Sequence, residues 1–217
     1  MRTLPLFPLN TVLFPDAPLP LRVFEPRYRE LLDRCLEEDR RFGVVLIRSG
    51  REARGPLPEA FEVGTIARII KVDEEMNGAI PVEVVGESRF AVSRLDRSHS
   101  YLVGEVDILN EEVDRDAATE TKRAYRATQD YLRLLFTVQG EWRRELDLPT
   151  DPVTLSFFLG TVLLAHPAPL RQSLLEATPV SRRLRVGAKA VEEATRGLRE
   201  NVMRAGPGRD RSVFGLN

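Results

Sequence analysis

Hydrophobic positions along the chain follow two different periods. Up to about residue 110 they form short continuous or alternating runs, rich in β-branched residues, of the kind that suit strands. These runs are "RFGVVLI", "FEVGTIARIIKV", "PVEVVGESRFAVSRL" and "YLVGEVDIL". Asn77-Gly78 within "DEEMNGAI" predicts a hairpin turn, and Gly86 predicts a bulge or bend. One helix interrupts the strands. In "EPRYRELLDRCLEED", Tyr28, Leu31, Leu32, Cys35 and Leu36 fall at helical spacing. Pro26 suits its first turn, and Glu25 is expected to meet the free amides there. Residues 51–60 read as a mobile loop. About six strands with one inserted helix predict a closed or nearly closed small barrel.

The acidic stretch "NEEVDRDAAT" marks the change of period. Beyond it, Thr121, Ala124, Tyr125, Thr128, Leu132, Leu135 and Phe136 make a helical stripe. Asp151-Pro152 predicts a capped helix start, and "VTLSFFLGTVLLA", apolar on all sides, predicts a central helix. Pro169–Glu176 predicts a short helix, and Thr178-Pro179 a restart with the same capping chemistry. The last long helix directs Val180, Leu184, Gly187, Val191, Ala194, Leu198 and Val202 toward its neighbours. The predicted class is α+β: a β-rich subdomain over residues 1–112, a helical bundle over 113–204 and a loose tail over 205–217.

The opening stretch "LPLFPLNTVLFPDAPLPLRVFEPRYRELL" breaks the simple strand reading. It is apolar enough for a core, yet prolines stand at 5, 8, 15, 18, 20 and 26. Each removes an amide donor and fixes φ, so proline is poorly tolerated within a central strand. Leu4–Leu9 and Leu19–Phe24 are therefore expected to pair on one side only, as edge or crossover strands.

Composition adds little to this picture and excludes some functions. The 217 residues are 42% hydrophobic and 30% charged with a net charge of −1, which gives no global attraction to nucleic acid or anionic membrane. Arginine supplies 29 of 32 cations, the lysines being 71, 122 and 189. Charge is uneven: residues 1–166 carry a net −6 and residues 167–217 a net +5. Cys35 is the only cysteine, which excludes an intramolecular disulfide or a cysteine cluster. No apolar run approaches the roughly 18 residues of a membrane span. The amino terminus lacks the pattern of a signal peptide, so the expected location is cytoplasmic.

"LPLFPLNTVLFPDAPLPLRVFEPRYRELL", followed by "FGVVLI" and "VGTIARI", resembles the amino-terminal domain of the Lon protease family. "YLVGEVDIL" and "RQSLLEATPVSRRLRVGAKAV" fit its later parts, so the resemblance runs from about Leu4 to Glu192. It implies a β-rich subdomain related to the PUA-like barrel, joined to a helical subdomain, with a role in substrate recognition and assembly rather than chemistry. The ATPase and Ser–Lys protease modules of Lon have no counterpart in the chain. "VGAKAV" has neither the glycine spacing nor the hydroxyl of a phosphate-binding loop. No enzyme activity is expected.

The remaining candidate chemistry is sparse. His99 and His166 share no motif, Cys35 belongs to a buried stripe, and Glu74-Glu75 and Glu111-Glu112 read as solvated surface. No metal or other cofactor is expected. The expected function is recognition of polypeptide segments, as an adaptor or holdase, through strand addition at incompletely paired edges. Leu4, Leu6, Phe7, Leu9, Phe14 and Leu19, with Glu25 and Arg27 beside them, are the candidate peptide-binding residues. The alternative is RNA binding through arginines 182, 183, 185, 196, 199 and 204, although the strands lack an aromatic-plus-basic stacking pattern.

Overall fold

A computed structural model describes residues 2–141 and 146–205. The order of elements is β1 (Arg2–Leu9), β2 (Pro18–Val23), α1 (Pro26–Glu37), β3 (Arg41–Ser49), β4 (Glu59–Val72), β5 (Ile80–Asp96), β6 (Leu102–Ile108), α2 (Ala117–Gln139), α3 (Pro152–Val162), α4 (Ala168–Glu176) and α5 (Val180–Ala205). The fold is α+β. Its contacts separate into two compact units, one of residues 1–112 with 164–177, the other of 113–163 with the residues from 178 onward. The single helical stretch expected over 113–204 is corrected here, because residues 164–177 fold with the sheet. The expected tail over 205–217 lies outside the described residues apart from Ala205 at the end of α5.

The first unit is built on a six-stranded sheet in the order β2-β5-β4-β3-β1-β6, with β5 also pairing to β6. All pairings are antiparallel except β1 with β3. The 17-residue β5 makes this curvature possible by serving β2 and β4 along its first part and β6 along its last. Pairing of β5 with both β4 and β6 curls the sheet back on itself, while β2 is paired with β5 alone among the described strands, so the six strands together do not make a fully closed barrel. Two features of β5 follow the local sequence. Asn77 and Gly78 both have positive φ, 53° and 77°, in the turn that leads into it, as a two-residue hairpin requires. The register shifts beside Gly86, where a Cβ would stand 2.2 Å from the Phe14 carbonyl oxygen.

β1 corrects the expectation that its prolines force it to an edge. It pairs with β6 over Arg2–Leu6 and with β3 over Leu6–Leu9, so the two ladders overlap only at Leu6. A proline cannot donate into the β6 ladder, so the pleat turns Leu4 and Leu6 toward β6 and Pro5 toward the β3 side. At residue 5 the β3 ladder has not begun. By the same alternation Pro8 faces the β6 side, where that ladder has ended. Each missing donor falls beside a gap, and β1 is a crossover strand.

Both faces of β1 are buried, as in other doubly covered strands. Leu4 and Leu6 pack with Val45, Ile66, Phe90, Leu102 and Val106. Phe7 and Leu9 face α1, packing with Tyr28, Leu31, Leu32 and Cys35. Leu36, expected in the α1 stripe, is 37% exposed. Glu25 precedes α1 without capping it through its side chain, which corrects the expected contact with the free amides. The carboxylate turns instead to Arg27 at 3.0 Å.

α4 is held to the sheet by buried polar side chains. Arg171 donates to the Val12 carbonyl at 2.7 Å and Gln172 to the Val63 carbonyl at 3.0 Å. Arg89, buried on β5, forks onto Glu111 at 2.8 and 3.1 Å and donates to the Leu175 carbonyl at 2.6 Å. A planar guanidinium suits this role, because its several donors can satisfy a carboxylate and a carbonyl together.

The second unit is a bundle of α2, α3 and α5. Asp151 caps α3 by accepting from the Thr154 amide at 2.9 Å, with Pro152 in the first turn. α5 starts differently from expectation. The Pro179 carbonyl accepts from the amides of Arg182 and Arg183, so Pro179 occupies the capping position and Thr178 stands one residue too early. Gly187 lets α5 approach α3, since a Cβ there would meet Leu159 Cδ1 at 2.5 Å. On α2 the buried residues are Ala117, Ala124, Thr128 and Tyr131; the expected Leu132, Leu135 and Phe136 are only partly covered.

Candidate functional site

Most of the candidate peptide-binding side chains lie inside the first unit. Leu4, Leu6, Phe7, Leu9 and Phe14 are each no more than 6% exposed, which corrects the expectation that they face a ligand. For the four of them in β1 the reason is that this strand is covered on both faces. Phe7 illustrates the point, stacking on Tyr28 with ring centres 4.1 Å apart. Leu19 is half-buried against the same core. Glu25 and Arg27 are also half-buried and form a tie at the start of α1. Arg27 donates to the carbonyls of Gly55 at 3.0 Å and Glu52 at 3.4 Å, while Glu25 accepts from the Arg54 amide at 3.4 Å. The loop over residues 51–55 is thereby laced to α1. Burial pushes the neighbouring Tyr28 hydroxyl up to about 12, the Arg27 guanidinium opposing this and the Glu25 and Glu52 carboxylates adding to it.

What the opening segment does expose is the outer face of β2. Leu19, Leu21 and Val23 share the inward face by strand alternation, so Pro20, Arg22 and Phe24 share the outward one. Phe24 is 47% exposed. Val23 pairs with Ile80, and Met76 bridges Ala79, so the topology brings Phe24 and the hairpin tip to one end of the sheet. Met76 is 63% exposed there. Arg29 on α1 fixes the hairpin, donating to the Glu75 carboxylate at 2.8 Å and the Gly78 carbonyl at 2.9 Å. The hydrogen bond between them lowers the Glu75 carboxyl and raises the Arg29 guanidinium from their ordinary values. Strand alternation could have found Phe24 from the sequence, and the position directly before Asn77-Gly78 marked Met76 as a hairpin-tip residue.

The edge of β2 is a poor template for strand addition. Proline nitrogens belong on the open side of an edge strand. Pro18 and Pro20 therefore face away from β5, and the outward edge carries carbonyls with few donors, a familiar protection against unwanted pairing.

The remaining candidates are equally well placed. Cys35 is buried and lies 3.3 Å from the Arg41 carbonyl, and burial raises its thiol to about 12. His99 lies 3.7 Å from Asp96 on the surface; burial lowers the His166 imidazole from its ordinary value. Among the described residues no group of three or more His, Cys, Asp or Glu side chains could hold a metal ion. No helix among them is long and apolar enough to cross a membrane. The expected arginine face of α5 is corrected. Arg183 is buried, donating to Ser156 Oγ at 2.8 Å and lying 4.1 Å over the Phe157 ring. Arg185 pairs with Glu120 at 2.9 Å and Arg204 with Glu200 at 3.6 Å. Arg182, Arg196 and Arg199 are exposed.

Comparison with known proteins agrees with this architecture. Residues 3–191 match the family described as the ATP-dependent protease La (LON) substrate-binding domain. Lon protease 2 of Sorangium cellulosum is 28% identical over 190 residues, spanning 85% of this chain and 24% of that protein. Lon protease 1 of Hydrogenovibrio crunogenus is 24% identical over 185 residues, spanning 84% of this chain and 23% of that protein. The chain thus spans about a quarter of the length of these curated relatives. A crystal structure of a Lon N-terminal domain protein from Xanthomonas campestris superposes with a TM-score of 0.62 at 29% identity, covering 85% of this chain and 96% of that one. The N-terminal domain of Mycobacterium avium complex Lon protease gives 0.66 at 21% identity, covering 90% and 98%, a likeness of fold. With the match running through nearly its whole length, the chain belongs to the Lon substrate-binding domain family.

Proposed function

We propose that the chain recognises polypeptide segments that expose apolar side chains, as an adaptor or holdase, without chemistry of its own. The observation that carries this reading is the exposure of Phe24 and Met76 at one end of the sheet. Large apolar side chains left exposed near one another mark interaction surfaces more often than scattered ones do. Here Phe24 directly follows an edge strand and Met76 stands in a pinned hairpin, so little order has to be created on binding. Arg22, exposed on the same face, adds a donor for a peptide carbonyl or carboxylate. The reading moves the contact from the buried β1 side chains to the outer face of β2, with Leu19, Glu25 and Arg27 behind it as support. It also replaces strand addition with side-chain contact.

The test is a peptide array followed by fluorescence titration of the wild type, Phe24→Asp and Met76→Asp, each with its fold checked by circular dichroism. Weak binding in the micromolar range is expected from so small a surface. Each variant should lose at least about tenfold in affinity. Folded variants that bind apolar peptides as tightly as the wild type would show that this face is not the contact.

A further inference from the structure

α2 carries a second surface with a different chemistry. Ala118, Thr121 and Tyr125 line one side of a hollow of about 460 Å³, and Thr150 and Pro152 line the other. Lys122 and Arg126, both exposed, also line it. The same two cations also border a neighbouring hollow of about 500 Å³ on α2, which Arg123, Asp130 and Glu192 help to line. Both hollows lie within the helical unit. Each is of the size that holds a bound group, where pockets run from roughly 300 to 1,000 Å³.

The charges set the character of this surface. Lys122 and Arg126 are four residues apart on one helix face, an arrangement in which like charges repel. Two other cations of the unit have carboxylates to meet: Arg123 binds Glu192 at 2.9 and 3.1 Å, and Arg185 binds Glu120 at 2.9 Å. Among the described residues, Lys122 and Arg126 form no ion pair. A like-charge pair left unneutralised beside an apolar hollow is matched by one kind of partner. That partner brings carboxylates to the rim and an apolar side chain to the trough.

We infer that this face of α2 docks an acidic polypeptide segment, placing a large apolar side chain between Tyr125 and Pro152 and its flanking carboxylates on Lys122 and Arg126. The two hollows lie side by side on α2 with Lys122 and Arg126 between them, and the apolar lining of the first suits a side chain of a peptide better than a small anion. A nucleic acid fits less well. Two cations supply little of the electrostatic attraction on which such binding depends. The site is separate from the Phe24 surface and does not depend on it.

The experiment is fluorescence polarisation on the full chain with three probes: a labelled 12-residue peptide with one tryptophan among aspartates and glutamates, its asparagine and glutamine counterpart, and a 12-nucleotide single-stranded RNA. The acidic peptide should bind at least about tenfold more tightly than the neutral one. Lys122→Glu with Arg126→Glu should abolish that preference, and Lys122→Gln with Arg126→Gln should reduce it without charge reversal. Tyr125→Ala should weaken the acidic peptide without removing the preference for acid. Phe24→Asp should leave the preference for the acidic over the neutral peptide unchanged, which separates this site from the apolar-peptide surface. Equal affinity for the two peptides, or binding unaffected by charge reversal in a folded variant, would overturn the proposal. So would tighter binding of RNA than of the acidic peptide.

Discussion

β1 and β2 come from one proline-rich stretch, have two prolines each, and end in opposite places. β1 lies inside the unit, paired on both sides and covered on both faces. β2 lies at the edge, paired only with β5. The difference is in what stands beside each missing donor. In β1 the prolines are three residues apart, so they face opposite sides, and each meets a gap because its two ladders are offset. In β2 the prolines are two residues apart, so they face the same side, and that side is open. Proline spacing, odd or even, separates a crossover strand from a protected edge, while the number of prolines does not.

The largest effect should come from emptying the β1 interior. Phe7→Ala removes the ring that stacks on Tyr28 and is expected to cost about 3–5 kcal/mol. Denaturant unfolding measures this directly. Alkylation of Cys35, in the same cluster, gives a second reading. With its thiol raised to about 12, Cys35 should react at pH 8 almost only when the core opens, so the labelling rate should rise steeply in Phe7→Ala. The corresponding change on the outer face, Phe24→Asp, should leave stability within about 0.5 kcal/mol. Equal costs at the two positions would break the comparison.

Pro8→Ala should have an intermediate effect. It adds an amide directed past the end of the β6 ladder in a buried strand, where it finds no partner. An unsatisfied buried donor costs about 1–3 kcal/mol. Pro5→Ala, whose new amide faces the side where the β3 ladder has yet to begin, should behave alike. Unfolding midpoints would measure both. A neutral or stabilising result would mean that the new amides find acceptors, and the account of β1 as a gap-matched crossover would fail.

These positions also separate what could be read from the sequence from what could not. Local signals were legible because their causes are local. The Asn77-Gly78 turn, the Tyr28–Leu31–Leu32–Cys35 stripe and the Asp151 cap each depend on residues a few positions apart. The burial of β1 was not legible, because it depends on where β3 and β6 begin and end. Nor was the placement of α4, whose short sequence fits either unit until Arg171 and Gln172 are seen donating to Val12 and Val63. Arg89 and Arg183 were hidden for another reason. An arginine in a sequence reads as surface, and both become interior only because partners brought from distant positions satisfy their donors. Of the candidate site, Phe24 was available from strand alternation, whereas the buried leucines and phenylalanines looked like binding residues because prolines suggested an edge.

A small change in stability, and the most direct test of the β2 edge, is expected of Pro20→Ala. The new amide should face open solvent, so no hydrogen bond is gained. Loss of the ring's restriction on the unfolded chain should cost about 0.4–1 kcal/mol at most. Amide exchange then reports the pleat itself. The amide introduced by the substitution should exchange rapidly, while those of Leu19 and Leu21, directed at Val84 and Val82, stay protected. The restored donor should also make the edge a better pairing template, so self-association should rise with concentration in light scattering. Protection of the introduced amide equal to that at Leu19 and Leu21 would place the proline on the paired side of the ladder. The outward face of Pro20, Arg22 and Phe24 would then have to be reassigned.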